Sequence, residues 1–147
     1  NVFKKFKRTP SFIISVDGTE EVDNYIRFPS DYNTKKKQTR YIKKQGFNTD
    51  FNLTISALNF PNTLKILKTW KAGCNTLEHP YFLHYNSLKP DVINRVKKTK
   101  NKPAYINNLI KQYQYNEDGN RRLKSYLKDL DAKRGTNSMI SLPWCWV

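Results

Sequence analysis

The first part of the chain alternates between short apolar runs and helix-like patterns. The first run, Phe12-Ile13-Ile14, contains no polar residue and is followed closely by Asp17-Gly18. An unbroken run of this kind predicts a strand over residues 11–16 that is buried on both faces. A second run at 51–60 is rich in Leu, Ile, Phe and Thr and predicts another strand. A third and weaker strand is predicted at Tyr81-Phe82-Leu83.

Helices are predicted in the connections between these strands. The first begins at a cap formed by Ser30 or Asp31, and Gly46 ends it. The second spans about residues 63–72, and Gly73 closes it. Parallel strands need crossover connections of this length, whereas antiparallel hairpins do not. The pattern therefore predicts an α/β fold with a parallel sheet.

The predicted secondary structure changes after residue 88, from alternating strands and helices to helices alone. Three further helices are predicted, over about 90–98, 103–115 and 118–133, with Asp118 or Asn120 as the cap of the last one. This part is basic, and it ends in the aromatic segment Trp144-Cys145-Trp146, which we expect to dock on the body of the protein or on a partner. The sequence thus divides into residues 1–88 and a helical, basic tail at 89–147.

The composition of the chain predicts an anionic partner and an intracellular location. The 147 residues include 27 Lys and Arg against 12 Asp and Glu, a formal net charge of +15. Such a charge favours RNA, DNA or a nucleotide-like cofactor, although heavy use of Lys, Asn, Tyr and Ile also follows from coding bias toward A and T. Two cysteines without a CxxC pair and no apolar run of membrane-spanning length predict a reduced, cytoplasmic protein without a membrane partner.

Candidate ligand contacts lie at the end of the first predicted strand. Ser15 and Asp17 stand where a parallel strand opens into a loop, and ligands bind at the carboxyl ends of the strands in parallel sheets. Asp-Gly is also a common turn pair, so Asp17-Gly18 has a structural explanation as well.

Four segments resemble radical S-adenosylmethionine (radical SAM) enzymes of the kind related to the twitch and SPASM groups. The fourth barrel strand of that family often resembles ISxDG, here Ile14-Ser15-Val16-Asp17-Gly18, and an Arg follows in a motif similar to NEYIRYP, here Asn24 to Pro29. Residues 51–59 resemble the next barrel strand, and LDAKRGTNSMISLPW is similar to a recurrent C-terminal sequence of these proteins. The resemblance covers most of the chain and is strong over the first 60 residues.

The resemblance implies a role for each matched residue. It implies that Ser15 contacts the ribose or the amino-acid part of S-adenosylmethionine, and that Arg27 holds the carboxylate of this cofactor through its planar fork. Asp17 is placed at the same site, or braces the loop. Asn59 has an amide suited to the same ligand, although an Asn that precedes Pro61 is explained equally well as a turn residue.

One departure from the family is large. Radical SAM chemistry needs a motif resembling CxxxCxxC to hold a 4Fe–4S cluster, and Cys74 and Cys145 are the only cysteines of this sequence. The resemblance therefore implies the C-terminal portion of such an enzyme, inactive alone, with the cluster expected only in the full-length enzyme. It implies a partial parallel (β/α) barrel of about three strands with crossover helices, followed by the helical tail. The implied partner is the missing N-terminal half of the barrel or another chain.

The sequence leaves one rival function open and predicts no metal site. The spacing of Cys74, Cys145 and the two histidines fits no standard zinc pattern, so no metal ligand is predicted. A small nucleic-acid-binding protein, such as a ribonucleoprotein component, is the alternative to the enzyme fragment. It rests on basic runs with tyrosines between them: Lys4, Lys5, Lys7, Arg8, Arg95, Lys97, Lys98, Lys100, Arg121 and Arg122, with Tyr105, Tyr113 and Tyr115.

Overall fold

A parallel three-stranded sheet forms the centre of the part of the protein that the computed structural model describes, residues 10–147. The strands are β1 (Ser11–Ser15), β2 (Asn48–Ile55) and β3 (Gly73–Thr76), in the spatial order β1-β2-β3. Ser11 lies opposite Asn48, and Asn52 lies opposite Gly73. The predicted α/β fold with a parallel sheet is confirmed, whereas its assignment as a partial (β/α) barrel stays a prediction.

Helices connect the strands and then make up most of the remaining chain. Helices α1 (Glu21–Ile26) and α2 (Tyr32–Lys44) join β1 to β2, and α3 (Thr63–Trp70) joins β2 to β3. The later helices are α4 (Pro90–Lys98), α5 (Ala104–Gln112), α6 (Glu117–Arg134) and α7 (Ser138–Ser141). Short 3-10 turns occupy Phe60–Asn62, Tyr81–Leu83, Tyr85–Ser87 and Pro143–Cys145. None of the helices within residues 10–147 combines the length and apolar character needed to cross a membrane.

One face of the sheet is covered by α2 and α3, and the other is open among the described residues. On the covered face, Leu53 and Ile55 of β2 are fully buried, and Phe51 packs on Trp70 of α3 with ring centroids 5.0 Å apart. On the open face, Ser15 is exposed and Ile13 is 75% exposed. The prediction of a strand buried on both faces was therefore wrong for β1. Apolar residues do point to both sides of this strand, but the helices cover only one of them.

The third strand lies earlier in the chain than predicted. Tyr81–Leu83 is a 3-10 turn, and β3 is the polar segment Gly73–Thr76, which pairs with residues 52–55 of β2. The carbonyl of Leu83 accepts a hydrogen bond from the Ala57 amide at 2.7 Å, so the turn braces the loop after β2 instead of joining the sheet. Tertiary pairing selects β3, because Gly73, Cys74, Asn75 and Thr76 form no apolar or β-branched run that marks a strand.

Local side-chain and backbone features set the helix ends, and two of the predicted helix ends were wrong. Asp31 caps α2 by accepting from the Thr34 amide at 2.6 Å, one of the two predicted alternatives. Asn116 caps α6, accepting from the Gly119 amide at 2.7 Å, so the predicted caps Asp118 and Asn120 were wrong. Helix α3 ends at Lys71 in the left-handed region (φ 51°), which makes Gly73 a strand residue and not the cap.

The C-terminal helices pack on the sheet region. Leu123 and Leu127 of α6 are fully buried, as are Leu142 and Cys145 beyond it. The Trp144 indole Nε1 donates to the carbonyl of Ala57 at 3.1 Å, which confirms that the aromatic end segment docks on the body of the protein. The division into units at 1–88 and 89–147 stays a prediction, and so does a separate tail.

Candidate functional site

Two of the predicted contact residues end or follow β1 at the carboxyl edge of the sheet. Ser15 is the last residue of β1 and lies on the open face, opposite Asn52 of β2. Its side chain is exposed, and the hydroxyl makes no hydrogen bond to any other described residue. A free hydroxyl at this position can donate and accept one hydrogen bond with a ligand that sits over the edge of the sheet.

Asp17 and Arg27 form an ion pair just beyond β1. The Arg27 Nε donates to Oδ2 of Asp17, whose side chain is only 8% exposed, whereas the Arg27 side chain is 41% exposed. The terminal Nη1 and Nη2 groups of Arg27 have no partner among the described residues. The pair therefore fixes the orientation of the guanidinium while leaving its outer N–H groups available for an anion.

A second buried acid, Asp23 of α1, holds the loop that carries this ion pair. Its Oδ1 accepts from the Asp17 amide at 3.3 Å, and its Oδ2 lies 2.5 Å from the Lys35 ammonium of α2. Gly18 fits between the loop and α1, because a Cβ there would lie 2.8 Å from the Asp23 Cα. The sequence did not identify Asp23, although an acid in the first turn after a strand-to-helix loop is a possible signal.

Asn59 has a different position, and both polar atoms of its side chain are hydrogen-bonded. It follows β2, is 1% exposed, and its Oδ1 accepts from the Ser56 amide at 2.8 Å while its Nδ2 donates to the Thr54 carbonyl at 2.9 Å. These bonds close the turn after β2, the alternative that the sequence left open for Asn59. The role of Asn59 as a ligand contact stays a prediction, and both polar atoms of its side chain bond within the turn.

Contacts from helix α6 secure the segment that bears Arg27. Tyr25 donates its hydroxyl proton to Asp131 Oδ1 at 3.0 Å, and Arg134 Nη1 donates to the Tyr25 carbonyl at 3.3 Å. The Arg134 guanidinium also lies 5.4 Å from the Phe28 ring centroid. Burial, followed by the hydrogen bond to Asp131, raises the pKa of Tyr25 well above its usual value. Arg27 is thus held from both sides, and this support was not predicted because it joins residues about a hundred positions apart.

The described residues contain no group of three or more His, Cys, Asp or Glu side chains arranged to hold a metal ion. Cys145 is fully buried, its Sγ faces the Ala57 carbonyl at 3.7 Å, and burial raises its pKa. Burial also raises the pKa of Cys74 on β3. Protonated, separated thiols do not fit the thiolate set that an iron–sulfur cluster needs.

The basic runs and tyrosines suggested for nucleic-acid binding differ in their surroundings. The run at Lys4–Arg8 lies outside the described residues. Arg95, Lys97 and Lys98 line a cleft on α4, but Asp91 shares it. Among the tyrosines, Tyr113 donates to the Leu88 carbonyl at 2.6 Å and burial raises its pKa to about 12, so it is a structural residue.

The chain has no counterpart in the comparisons made: no known protein family, no curated protein and no solved structure matches it.

Proposed function

We propose that this chain is the C-terminal portion of a radical SAM enzyme and contributes contacts to S-adenosylmethionine. The observation that carries the proposal is the oriented guanidinium of Arg27 at the carboxyl edge of a parallel sheet, beside a strand that ends in the exposed hydroxyl of Ser15. Family resemblance at both residues supports the assignment. Arg27 would hold the carboxylate of S-adenosylmethionine, and Ser15 a hydroxyl or the amino-acid part.

The two implied cofactors differ in how well the residues suit them. For S-adenosylmethionine, the chain supplies a hydroxyl and two guanidinium NH2 groups without other partners among the described residues. When bound, this cofactor would supply the adenosyl group on which the complete enzyme acts. For a 4Fe–4S cluster, the two cysteines do not fit, and no step of a reaction is assigned to this chain.

Asp17 acts in this proposal as a positioning residue. Its carboxylate accepts a hydrogen bond from the Nε–H of Arg27, which leaves the two outer NH2 groups to face a ligand. Lysine at position 27 would carry the charge without the fork, so it could not hold both the Asp17 carboxylate and a ligand carboxylate in one plane.

Titration calorimetry on the full chain tests the proposal. S-adenosylmethionine should bind weakly, with a Kd on the order of 0.1–1 mM, because only part of its site is present. Arg27→Gln should weaken this binding about tenfold, the loss of one charged contact worth roughly 1.4 kcal/mol. The same substitution should leave binding of 5′-methylthioadenosine unchanged, since that ligand lacks the amino-acid part.

A matched control variant makes the result specific. Arg95→Gln removes an equal charge from an exposed position on α4 and should change neither ligand. No binding of S-adenosylmethionine at millimolar concentration, or an equal loss of both ligands in Arg27→Gln, would contradict the assigned contact. Sequencing the DNA upstream provides an independent check, because a radical SAM gene should encode CxxxCxxC there.

A further inference from the structure

Two clefts flank α3 on the helix-covered side of the sheet. The first, between α2 and the end of α3, has a volume of about 340 Å³ and a floor formed by Phe51 and Trp70. Four cations line it: Lys36, Arg40, Lys43 and Lys71. The second, between α3 and the turn joining α4 to α5, has a volume of about 660 Å³ over Leu64 and Leu67. Three further cations line it: Lys65, Lys68 and Lys100.

The charge in these clefts is almost uncompensated. No carboxylate lines either of them. Of the seven cations, only Lys65 has a described ion pair, with Glu20 at 3.6 Å, and both side chains of that pair are more than half exposed. Exposed pairs of this kind contribute little. A concave surface lined by one sign of charge concentrates the opposite charge from solution, so both clefts attract an anion.

Aromatic rings help to place two of the ammonium groups. Lys43 Nζ lies 4.9 Å from the Phe51 ring centroid, and Lys36 Nζ lies 5.3 Å from that of Tyr32. Such contacts stabilise a cation over a ring and reduce the number of positions that a long side chain samples. Two of the four cations in the first cleft therefore lie against aromatic rings.

We propose that the two clefts form one binding surface for the phosphate backbone of a single-stranded nucleic acid. A flexible strand can cross α3 and place phosphates in both clefts, because a helix is only about 10 Å wide. Six of the seven cations are lysines, which bind phosphates as point charges, so recognition is independent of base sequence.

The same features argue against an anionic membrane as the partner. Peripheral membrane binding combines cations with protruding apolar side chains that insert into the interface. None of the large hydrophobic side chains that are exposed in residues 10–147 lines either cleft. The cations also line concave clefts, where a flat bilayer makes poor contact and a narrow chain fits.

This surface is independent of the Ser15–Arg27 edge and of the function proposed for it. The clefts lie in the helix layer, whereas Ser15 lies on the open face of the sheet. Arg27→Gln, designed to weaken S-adenosylmethionine binding, should leave nucleic-acid binding unchanged. The two proposals can therefore fail separately.

Fluorescence anisotropy with labelled oligo(U) and oligo(dT) of twelve nucleotides tests the surface, with the variants compared at equal net charge. Arg40→Gln/Lys43→Gln/Lys68→Gln removes three cleft charges, and Arg95→Gln/Lys97→Gln/Lys98→Gln removes three charges from α4. The cleft variant should lose about tenfold or more in affinity, and its salt slope should fall by about 2. The α4 variant should lose less than about threefold.

Lysine acetylation of the unsubstituted chain, read by mass spectrometry, makes the test independent of whether the variants fold. Oligo(U) should protect Lys36, Lys43, Lys68 and Lys71, and should not protect Lys97 or Lys98. Equal losses in the two variants, no binding at low salt, or protection of the same lysines by phosphatidylserine vesicles and not by oligo(U) would each overturn the proposal.

Discussion

At the scale of single residues, Asp131 joins α6 to the segment that carries Arg27. Its Oδ1 accepts from Tyr25 at 3.0 Å and from the Thr136 hydroxyl at 2.7 Å, and its Oδ2 accepts from the Ser138 amide at 2.8 Å and hydroxyl at 2.6 Å. An acid in the last turns of a helix opposes the helix dipole, so these four bonds must outweigh that cost. Burial tends to raise the pKa of Asp131, but the bonds from Ser138 and its neighbours outweigh burial and lower it.

Replacing Asp131 by Asn tests this role. The amide has one oxygen in place of two acceptors, and its NH2 group faces donors, so we expect a loss of roughly 1–3 kcal/mol in the free energy of unfolding. Urea denaturation followed by circular dichroism measures it. Asp129→Asn, an exposed position on the same helix, should stay within about 0.5 kcal/mol of the original chain. A loss no larger than that of the control would contradict the role.

We expect His84 to make the stability of the chain depend on pH. Burial lowers its pKa, and Glu78 opposes this shift only in part. Its neutral ring accepts a hydrogen bond from the Asn86 amide through Nδ1 at 3.2 Å. The same turn contacts the start of α6, because the Asn86 carbonyl accepts from the Asn116 amide and the Ser87 carbonyl accepts from the Asn120 side chain. Protonation removes the acceptor.

The direction of the pH effect follows from linkage. The folded chain binds fewer protons at His84 than the unfolded chain, so stability is lost as the pH falls below the unfolded pKa of about 6.5. Between pH 7 and 5 the free energy of unfolding should fall, by at most about 1.4 kcal/mol per pH unit for this one group. His84→Gln should flatten the slope in thermal denaturation, and His79→Gln, at an exposed position, should retain it. Identical slopes in the two variants would exclude His84 as the origin.

At the scale of elements, the fit between the β1–α1 loop and α1 decides where Asp17 and Arg27 lie. A Cβ at Gly18 would lie 2.8 Å from both Val22 C and Asp23 Cα and closer still to the Asp23 amide nitrogen. These are backbone atoms, so a larger residue must push the loop away from the helix. The Asp17 amide would then lose its contact with Asp23.

We expect Gly18→Ala to destabilise the chain by about 1–3 kcal/mol, the usual range for overpacking. It should also weaken S-adenosylmethionine binding, since the Arg27 guanidinium is oriented through this loop. Gly73→Ala is the matched control, because the nearest atom to its added Cβ is Phe51 O at 3.8 Å, an ordinary contact. Equal unfolding midpoints for the two alanine variants would show that the loop tolerates a side chain.

Elements with strong local signals could be predicted from the sequence, and those set by tertiary contacts could not. Asp31 is a residue type that caps helices, and Pro90 is typical of the first position of a helix, so both helix starts could be read from the local sequence. β3 has none, because its four residues become a strand only by pairing with β2. In the candidate site, Ser15 and Arg27 could be identified as candidate contacts from their residue types, but the residues that hold the Arg27 segment in place are distant from it in the sequence. The pairing of Asp131 with Tyr25 spans 106 positions, beyond the reach of local pattern.

At the scale of the whole molecule, the open face of the sheet sets this chain apart from a closed α/β protein. The exposed positions of β1 and β2 on this face include Ile13, Ser15, Asn48 and Asp50. In the described part of the chain, β1 is an edge strand of the sheet and pairs only with β2. Such an edge is a template for another strand, and a large apolar residue beside it adds to the tendency to associate.

Ile13 therefore tests whether this face is an assembly surface. It is 75% exposed and lies opposite Asp50, so a second chain that covers the sheet would bury it, whereas no described helix does. We expect the chain to self-associate in sedimentation velocity and Ile13→Asn to shift the distribution toward monomer. Ile140→Asn on α7, which is 69% exposed, removes a comparable apolar side chain from a helix and should leave the distribution unchanged. A purely monomeric starting chain would contradict the expectation. An equal shift in both variants would also contradict it, because general surface hydrophobicity would then explain the association better than the open face of the sheet.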